Sequence, residues 1–378
     1  MTESYDYEVI VIGAGPAGSL AAAEAARAGK KVLIVEKDTE VGIPETCGGL
    51  VSTSGLSNII EDTSIIKRKI DRGSLIVKDA LFEFSFDKSN LVEIERQLLD
   101  KKLARIAVRE GSELILGSYA FYKKENGVNL VYIKGKKLTA KYIINAGGSS
   151  YYLKKEGKVL ATQFMFALKD GYYDGIAVYI NRELYPKMFG WYIPYDDGLA
   201  KVGAPGSPDV AMLAVKKIFE KLKLNGKAVK VLSAYLINGG PFYQHNTRDY
   251  VMVGDAGGQT KPTTGGGIIF GGVGGKIAGK LAGKDALDTY NSEYYERGPG
   301  KDLIKQVKIK EVYEMLNDSA IFKIANALHE RNIIFMEDEF DYHSKLIKKA
   351  LQDPTLAFKL AEIMPSVAFS YLKSLLFS

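Results

Sequence analysis

The residues with the clearest chemical meaning are three glycines close to the start of the chain. Gly13, Gly15 and Gly18 form the pattern G-x-G-x-x-G directly after an apolar strand pattern, Val9-Ile-Val-Ile. The first glycine permits a tight turn, the second lets a pyrophosphate approach the backbone, and the third lets the next helix pack on the strand. A diphosphate there would meet unpaired N–H groups and the positive end of the helix dipole.

The residues that follow complete a nucleotide-binding unit. We predict a helix from Pro16 to about Ala28, with Ala17 at the phosphate turn. A second apolar strand pattern then ends in Glu36, where an acid normally meets the ribose hydroxyls of a dinucleotide. Strand, helix, strand and acid therefore occur in the order of a Rossmann-like site.

A second glycine-rich motif indicates a flavin. Asp255 follows an apolar strand pattern, and Gly266 and Gly267 precede Ile268 at the start of a glycine-rich helix. The aspartate can accept a hydrogen bond from a ribityl hydroxyl, and the helix N-terminus would face the ring edge that is negative in reduced flavin. The alternative is a tightly packed helix beside an ordinary loop aspartate. The two motifs together favour the flavin.

The chain has a single cysteine, Cys47, in a loop rich in glycine and proline. A free cysteine is commonly a small buried hydrophobe. Beside a flavin it would instead be a proton donor or a redox-sensitive gate. Both interpretations stay open.

Aromatic side chains are frequent between residues 160 and 195, where they either wall a long apolar pocket or fill the core of a sheet. Trp191 precedes Ile193-Pro194 at the end of a predicted strand, so we expect it near the flavin ring. With Cys47, we take Trp191 and Tyr192 as the candidate catalytic residues.

The pattern of elements predicts an α/β and α+β protein in three parts. A Rossmann-like FAD-binding domain takes residues 1–72, 90–155 and 246–285, and an antiparallel-sheet substrate domain takes 73–89 and 156–245. A helical C-terminal region follows from 286 to 378. The nucleotide-binding segments are thus interleaved with the sheet.

Some local expectations are more specific. Helical spacing runs from Val92 to Arg109, and a hairpin turns near Asn126-Gly127. The acidic cluster 337–341 is typical of a surface loop. The amphipathic tail 357–377 either packs on the body or lies on a membrane surface.

Composition limits the remaining classes of function. The net charge of +6 is mild and the lysines are dispersed, which argues against a nucleic-acid groove. One cysteine excludes an internal disulfide or a four-cysteine cluster, and the three histidines lack zinc-ligand spacing, so we expect no metal. With no apolar run of membrane length and no signal peptide, we expect a cytoplasmic protein. Peripheral contact with the cytoplasmic membrane face stays open.

The combined motifs resemble a known family. The glycine motif with Glu36, Arg96 on the following helix, and Gly254-Asp255 is similar to the FAD-dependent family of p-hydroxybenzoate hydroxylase. Within it, three further stretches resemble geranylgeranyl reductases, above all the archaeal membrane-lipid enzymes. They are Pro44-x-x-Cys47-Gly-Gly, the aromatic stretch 185–194, and Pro262-x-x-Gly-Gly-Gly267-Ile268.

The resemblance implies roles for individual residues. FAD would touch Ala17 and Glu36, Arg96 would steady its phosphates, and Ala120 would meet the adenine through its backbone. The flavin side would be lined by the loop residues Cys47, Gly48, Gly49 and Leu50, and by Asp255, Gly267 and Ile268.

The resemblance also implies an enzyme that saturates isoprenoid double bonds, with reduced flavin giving hydride from N5 and a proton completing the addition. No second nucleotide motif is present, so the reductant is either NADPH visiting the same cleft or a separate carrier such as ferredoxin. Two alternatives remain: a flavin-dependent monooxygenase or halogenase, and a non-catalytic flavoprotein that binds lipid or passes electrons to a quinone.

Overall fold

The computed structural model describes residues 5–87, 91–196 and 198–374. Its strands are β1 (Tyr7–Ile12), β2 (Val32–Val35), β3 (Leu50–Ser52), β4 (Ile66–Ile70), β5 (Arg72–Val77), β6 (Ala80–Ser85), β7 (Leu91–Ile94), β8 (Glu113–Ile115), β9 (Ala120–Glu125), β10 (Val128–Ile133), β11 (Lys136–Asn145), β12 (Lys158–Asp170), β13 (Ile176–Ile180), β14 (Gly190–Asp196), β15 (Leu199–Pro205), β16 (Asn225–Ile237) and β17 (Tyr250–Met252). Its α-helices are α1 (Pro16–Arg27), α2 (Thr53–Ser57), α3 (Arg96–Arg109), α4 (Pro208–Leu222), α5 (Ile268–Gly283), α6 (Gly300–Met315), α7 (Asp318–Glu330), α8 (His343–Gln352), α9 (Pro354–Ile363) and α10 (Ser366–Ser374).

The first sheet gathers strands from distant parts of the chain. Its order is β8-β2-β1-β11-β10-β9, and β17 also pairs with β11. The pairs β1–β2, β1–β11, β2–β8 and β11–β17 are parallel, whereas β9, β10 and β11 form an antiparallel meander. The predicted hairpin is confirmed, with Asn126 and Gly127 both at positive φ between β9 and β10. This is the Rossmann-like part of the predicted fold.

The second sheet has the order β16-β12-β15-β14-β13-β5-β6. It is mostly antiparallel, as predicted, apart from the parallel pair β13–β5. Helix α4 covers one face, burying Ala211, Ala214, Val215 and Ile218. From the sequence, residues 208–222 were assigned to the sheet, and α4 was not predicted. The exact domain boundaries stay a prediction.

A small third sheet corrects the predicted start of one helix. Residues 91–94 form β7, which pairs with β3 and β4, and α3 begins only at Arg96. Val92 and Ile94 are fully buried. Their β-branched side chains favour a strand with neighbours on both edges, so tertiary pairing replaces the helical spacing that runs on into α3.

Helices α1 and α5 pack in close contact with each other on one face of the first sheet. A Cβ added at Gly275 would lie 2.0 Å from the Ala17 carbonyl oxygen, and one at Gly279 would lie 2.1 Å from that of Ala21. Only hydrogen fits at these positions, so glycine lets the two backbones approach. The tightly packed glycine helix considered as an alternative is therefore present, whether or not a flavin also binds there.

The C-terminal helices cover the second sheet. Buried side chains of α9 and α10 share a core with the strand residues Val77, Phe82 and Ile180, and include Leu356, Leu360, Ala368 and Leu372. The tail thus packs on the body, as one of the two expectations had it, although residues 375–377 lie outside the described part. Among the described residues, no helix combines the length and the apolar character that crossing a bilayer requires.

Candidate functional site

The glycine motif forms a tight turn between β1 and α1. Gly13 has φ +99°, and a Cβ there would lie 2.4 Å from the Ala146 carbonyl oxygen. A Cβ at Gly18 would lie 2.0 Å from the Gly13 carbonyl oxygen, whereas one at Gly15 would meet nothing within 4 Å. Gly15 therefore borders free space at the helix N-terminus, which has no side-chain cap. This free cradle fits a diphosphate.

Glu36 lies directly after β2 and points back to this turn. Its Oε2 accepts a hydrogen bond from the Ala14 N–H at 2.7 Å, and its Oε1 accepts one from the Asp38 N–H at 2.9 Å. Each carboxylate oxygen has a second lone pair. Glu36 is thus fixed by the backbone and can still accept hydrogen bonds from ribose hydroxyls.

Asp255 and the start of α5 form the second part of the site. Asp255 lies in a 3-10 turn, and its Oδ1 is 3.1 Å from the Cβ position of Gly267, the residue before Ile268. Within the described residues, no hydrogen bond to its carboxylate is present. Burial raises the pKa of Asp255, against the opposing attraction of Arg96. A half-buried acceptor beside an uncapped helix start fits a polyhydroxyl chain such as ribityl.

Gly266 and Gly267 have little free volume around them. A Cβ at Gly266 would lie 2.8 Å from Lys261 Cε, and one at Gly267 would lie 2.8 Å from Thr260 Cγ2. Side chains at these positions would displace the segment that leads into α5. The two glycines thereby keep the backbone close to Asp255.

Arg96 connects the two motifs. At the start of α3 its Nη2 is 3.1 Å from both carboxylate oxygens of Asp100, and the guanidinium also faces Cys47 and Asp255. Burial raises the pKa of Asp100, while Arg96 opposes that shift. The structure therefore brings Arg96, Cys47 and Asp255 together, although they are distant in sequence.

The loop that carries Cys47 is held by close backbone contacts. The Gly49 N–H points at Cys47 Sγ at 3.4 Å. Gly49 has φ +79°, and a Cβ there would lie 2.5 Å from the Ile94 carbonyl oxygen. A Cβ at Gly48 would lie 2.7 Å from Ile193 Cδ1, and Leu50 begins β3. Cys47 itself is half-buried.

A glutamine joins Trp191 to this loop. Trp191 Nε1 donates to Gln163 Oε1 at 3.1 Å, and Gln163 Nε2 donates to the Cys47 carbonyl oxygen at 3.4 Å. Sequence reasoning missed Gln163. Its signal was a buried amide in the middle of an aromatic strand, where a polar side chain requires a partner.

Tyr192 is on the opposite face of β14. It is fully buried in the core beneath α4, and its hydroxyl donates to the Tyr173 carbonyl oxygen at 2.8 Å. Burial raises the pKa of this hydroxyl. The structure does not bring Tyr192 to the cluster of Trp191 and Cys47, so its catalytic role stays a prediction that its position does not favour.

The remaining two candidates are backbone positions. Ala17 lies beneath α5, where the Cβ position of Gly254 is 3.1 Å from its methyl group. Ala120 is buried at the start of β9, and its carbonyl oxygen accepts the Tyr151 hydroxyl at 2.8 Å. That carbonyl already has a partner, and contact with an adenine at Ala120 stays a prediction.

Sequence reasoning also missed a buried ionic cluster beneath the Cys47 loop, formed by Glu45, Glu93 and Lys201. Lys201 Nζ lies 2.8 Å from Glu93 Oε1, 2.9 Å from Glu45 Oε1 and 3.4 Å from the Gly48 carbonyl oxygen. The Glu93 side chain is 0% exposed and that of Lys201 is 2% exposed. The signal was charge within buried strands, in Val92-Glu93-Ile94 and Ala200-Lys201-Val202.

The acidic cluster 337–341 is not the surface loop that we predicted. Residues Glu337–Phe340 form a 3-10 helix, and Asp341 is 3% exposed. Asp341 accepts a hydrogen bond from Lys261 at 3.0 Å and one from Ser52. The buried carboxylate of Asp341 thus connects the C-terminal region to the glycine segment before α5 and to β3.

Comparison with known proteins agrees with this geometry. Residues 8–152 match the family model described as FAD dependent oxidoreductase. Digeranylgeranylglycerophospholipid reductase 1 of Methanosphaera stadtmanae is 30% identical, over 98% of this chain and 99% of that protein.

Two solved structures show the same fold. A geranylgeranyl bacteriochlorophyll reductase-like protein from Thermoplasma acidophilum has a TM-score of 0.79 at 23% identity, covering 95% of this chain and 99% of that one. A flavin-dependent brominase has a TM-score of 0.67 at 15% identity, covering 97% of each chain.

Proposed function

The chain belongs to the digeranylgeranylglycerophospholipid reductase family and is an FAD-dependent oxidoreductase, and we propose that it saturates the double bonds of geranylgeranyl chains in membrane lipids or their isoprenoid precursors. The relatives carry this substrate in their names, and they align with the chain over nearly its whole length. The structure supports the proposal through one feature in particular, the apolar surface that meets the nucleotide site.

That apolar surface is the face of the second sheet opposite α4. Trp191 on this face is joined through Gln163 to the Cys47 loop. Near the start of the flavin motif, the Cβ position of Gly265 is 3.7 Å from Met188 Cε and 3.8 Å from Leu236 Cδ1. Apolar side chains thus lie directly against the segment that leads into α5. We infer that a hydrocarbon chain lies along this seam between cofactor and sheet.

The reaction chemistry follows from what an isolated alkene lacks. It has no carbonyl that the protein could polarise, so rate must come from alignment and from exclusion of water. Bound FAD, once reduced, supplies a hydride equivalent to one alkene carbon. Trp191 and the aliphatic residues position the chain. Arg96 and Glu36 hold the cofactor, and a proton must reach the second carbon.

Supply of electrons is the second part of the proposal. Among the described residues, a single strand–glycine turn–helix unit is present, and it is the one that holds FAD. We therefore infer that the reductant is either NADPH entering the same cleft or a carrier protein such as ferredoxin that docks near the flavin.

Access to a lipid substrate is the third part. Phe358 on α9 is 64% exposed and Val367 near the start of α10 is 70% exposed, although Leu360 on α9 and Ala368 on α10 are buried. Apolar side chains on short surface helices are suited to shallow contact with a bilayer. The proposal is therefore a peripheral contact through α9 and α10, which liposome flotation of wild type and Phe358→Ser would measure.

The test of the function is anaerobic incubation of dithionite-reduced protein with digeranylgeranylglycerophospholipid, followed by mass spectrometry of the lipid. We expect a mass gain of two hydrogens for each double bond saturated, with no gain when the protein stays oxidised. A product that forms only in oxygen would favour the monooxygenase or halogenase alternative. Binding of the lipid without saturation under any reductant would favour the non-catalytic flavoprotein.

A further inference from the structure

In the cluster of Glu45, Glu93 and Lys201, the carboxylates outnumber the ammonium groups that could neutralise them. One ammonium group faces two carboxylates, each within 2.9 Å of Lys201 Nζ. Glu93 Oε1 bonds to Lys201, whereas Glu93 Oε2 is buried and has no hydrogen-bond partner. An ionised carboxylate with a dry, unpaired oxygen is strongly disfavoured. The unpaired oxygen is therefore the natural place for an additional proton.

The electrostatics of the cluster agree with this geometry. Burial raises the pKa of Glu93 to about 8, although Lys201 opposes the shift and Glu45 adds to it. Other charged and titratable groups around the cluster come from several elements: Lys67 on β4, Glu95 before α3, Tyr195 and Asp196 on β14, and Lys230 on β16. Lys67 is itself paired with Glu95 at 2.9 Å. Among the described residues, Lys201 is the cation bonded to Glu93.

The position of the cluster connects it to the apolar seam. Lys201 and Glu45 line a small cavity together with Gln163, Met165 and Leu232. Gln163 is the residue that joins Trp191 to the Cys47 loop. Glu93 lies behind Lys201, sealed from solvent, while the Glu45 side chain is 16% exposed. The cluster therefore has one side towards the substrate seam and one towards water.

We propose that the Glu45–Lys201–Glu93 cluster stores the proton that becomes the second hydrogen of the saturated bond, an inference that rests on the proposed function. In the balanced step, the alkene accepts a hydride at one carbon from reduced FAD, and its other carbon accepts a proton from Lys201. Glu93 returns a proton to Lys201, and water reprotonates the cluster through Glu45. The two electrons come from FAD, and the cluster transfers protons only.

The decisive variants are Glu93→Gln and its control Glu61→Gln, which removes an exposed carboxylate outside the cluster. The rate to measure is reoxidation of reduced flavin by lipid substrate in a single anaerobic turnover. In the wild type, this rate should fall about tenfold per pH unit above pH 8, because the stored proton is lost. Glu93→Gln should be about 100-fold slower at neutral pH and lack this dependence. Glu61→Gln should behave like the wild type.

Two further measurements separate proton storage from a structural role. Isotope-edited infrared titration of the apoprotein should show a carboxyl group that ionises near pH 8 in the wild type and in Glu61→Gln, but not in Glu93→Gln. Flavin reduction by dithionite should be equal in all variants. Glu93→Asp, which retains a carboxyl group, should restore a pH-dependent rate, whereas a packing defect would not be rescued in this way.

The outcomes distinguish the two proposals. If the wild type saturates lipid but Glu93→Gln keeps its rate and pH profile, the proton store is wrong and the function stands. The same conclusion follows if the titration near pH 8 persists in Glu93→Gln. If the wild type produces no saturated lipid, the function itself is wrong, and the cluster has no double bond to protonate.

Discussion

At the scale of single residues, the three glycines of the first motif have different roles. A side chain at Gly13 or Gly18 would collide with backbone oxygens at 2.4 Å and 2.0 Å, so these two glycines are required by the protein itself. Gly15 has free space around it, and nothing in the described chain requires a glycine there. We therefore expect a glycine at this position to serve the approach of a phosphate rather than the packing of the protein.

Gly15→Ala should therefore separate cofactor binding from folding. We expect the melting temperature of the apoprotein to stay within a few degrees of wild type, because a Cβ at this position contacts nothing within 4 Å. The dissociation constant for FAD should rise at least about tenfold, a loss of about 1.4 kcal/mol, since the methyl group occupies the approach to the diphosphate. Calorimetric titration with FAD measures it. Gly18→Ala, as the contrasting variant, should lower the melting temperature, and equal FAD affinity in Gly15→Ala would contradict this account.

His343 gives the molecule a predictable response to acid. Its Nε2 lies 3.1 Å from the Phe340 carbonyl oxygen, and its Nδ1 lies 2.5 Å from the Thr263 hydroxyl oxygen. Burial, assisted by Lys261, lowers the pKa of His343 to about 3. The unfolded chain binds the proton near pH 6.5, so stability should fall as the pH drops from 6.5 towards 3. His343→Gln should show a smaller fall in melting temperature over this range, and exposed His245→Gln should match the wild type.

At the scale of elements, α1 and α5 depend on each other through their smallest residues. Gly279→Ala would place a methyl group 2.1 Å from the Ala21 carbonyl oxygen, and backbone cannot yield as a flexible side chain does. We expect a loss of about 1–3 kcal/mol in the free energy of unfolding, measured by urea denaturation. Lys280→Ala, on the exposed face of the same helix, is the control and should lose less than about 0.5 kcal/mol. A neutral Gly279→Ala would mean that the two helices are not packed as described.

The sequence predicted the elements that depend only on residues close together in the chain. The turn at Gly13, the hairpin at Asn126-Gly127 and the glycine helix after Gly267 each follow from backbone constraints within a few residues. Val92 and Ile94 could not be assigned in this way, because their strand exists only through pairing with β3 and β4. Helix α4 was missed because its stretch adjoins strands on both sides, and its apolar face was taken for sheet.

The same distinction holds for the candidate site. Glu36 and Asp255 were found because each follows a strand in a recognisable motif. The sequence did not indicate a role for Gln163, Glu93 or Lys201, because their hydrogen-bond partners lie far away in the chain. Trp191 was predicted near the flavin ring, which stays a prediction, and the structure joins it to the Cys47 loop through Gln163. The strand alternation that sends Tyr192 to the other face was overlooked.

At the scale of the whole molecule, the C-terminal helices cover apolar strand residues that the two large sheets leave uncovered. Without them, the strand residues Val77, Phe82 and Ile180 would face water. The buried Asp341 also holds the C-terminal region against Lys261 and Ser52 near the flavin motif. This region therefore contacts the segment before α5 as well as covering the sheet.

Two substitutions on α9 test that cover. Leu360 is 6% exposed within the shared core, whereas Phe358 on the same helix is 64% exposed. Leu360→Asp should lower the melting temperature by several degrees, because it buries an unpaired charge. Phe358→Asp should leave it nearly unchanged, as scanning calorimetry would show. Equal effects of the two substitutions would mean that α9 does not pack as described.

The close contact between Ala17 and Gly275 also has a consequence for biosynthesis. A ribosome releases α1 early, but α5 emerges only when residue 283 has been translated. Until then the nascent polypeptide carries an uncovered alanine-rich helix and half a nucleotide pocket, a state prone to aggregation. We therefore expect FAD to bind only after α5 has been made, late in the synthesis of the chain.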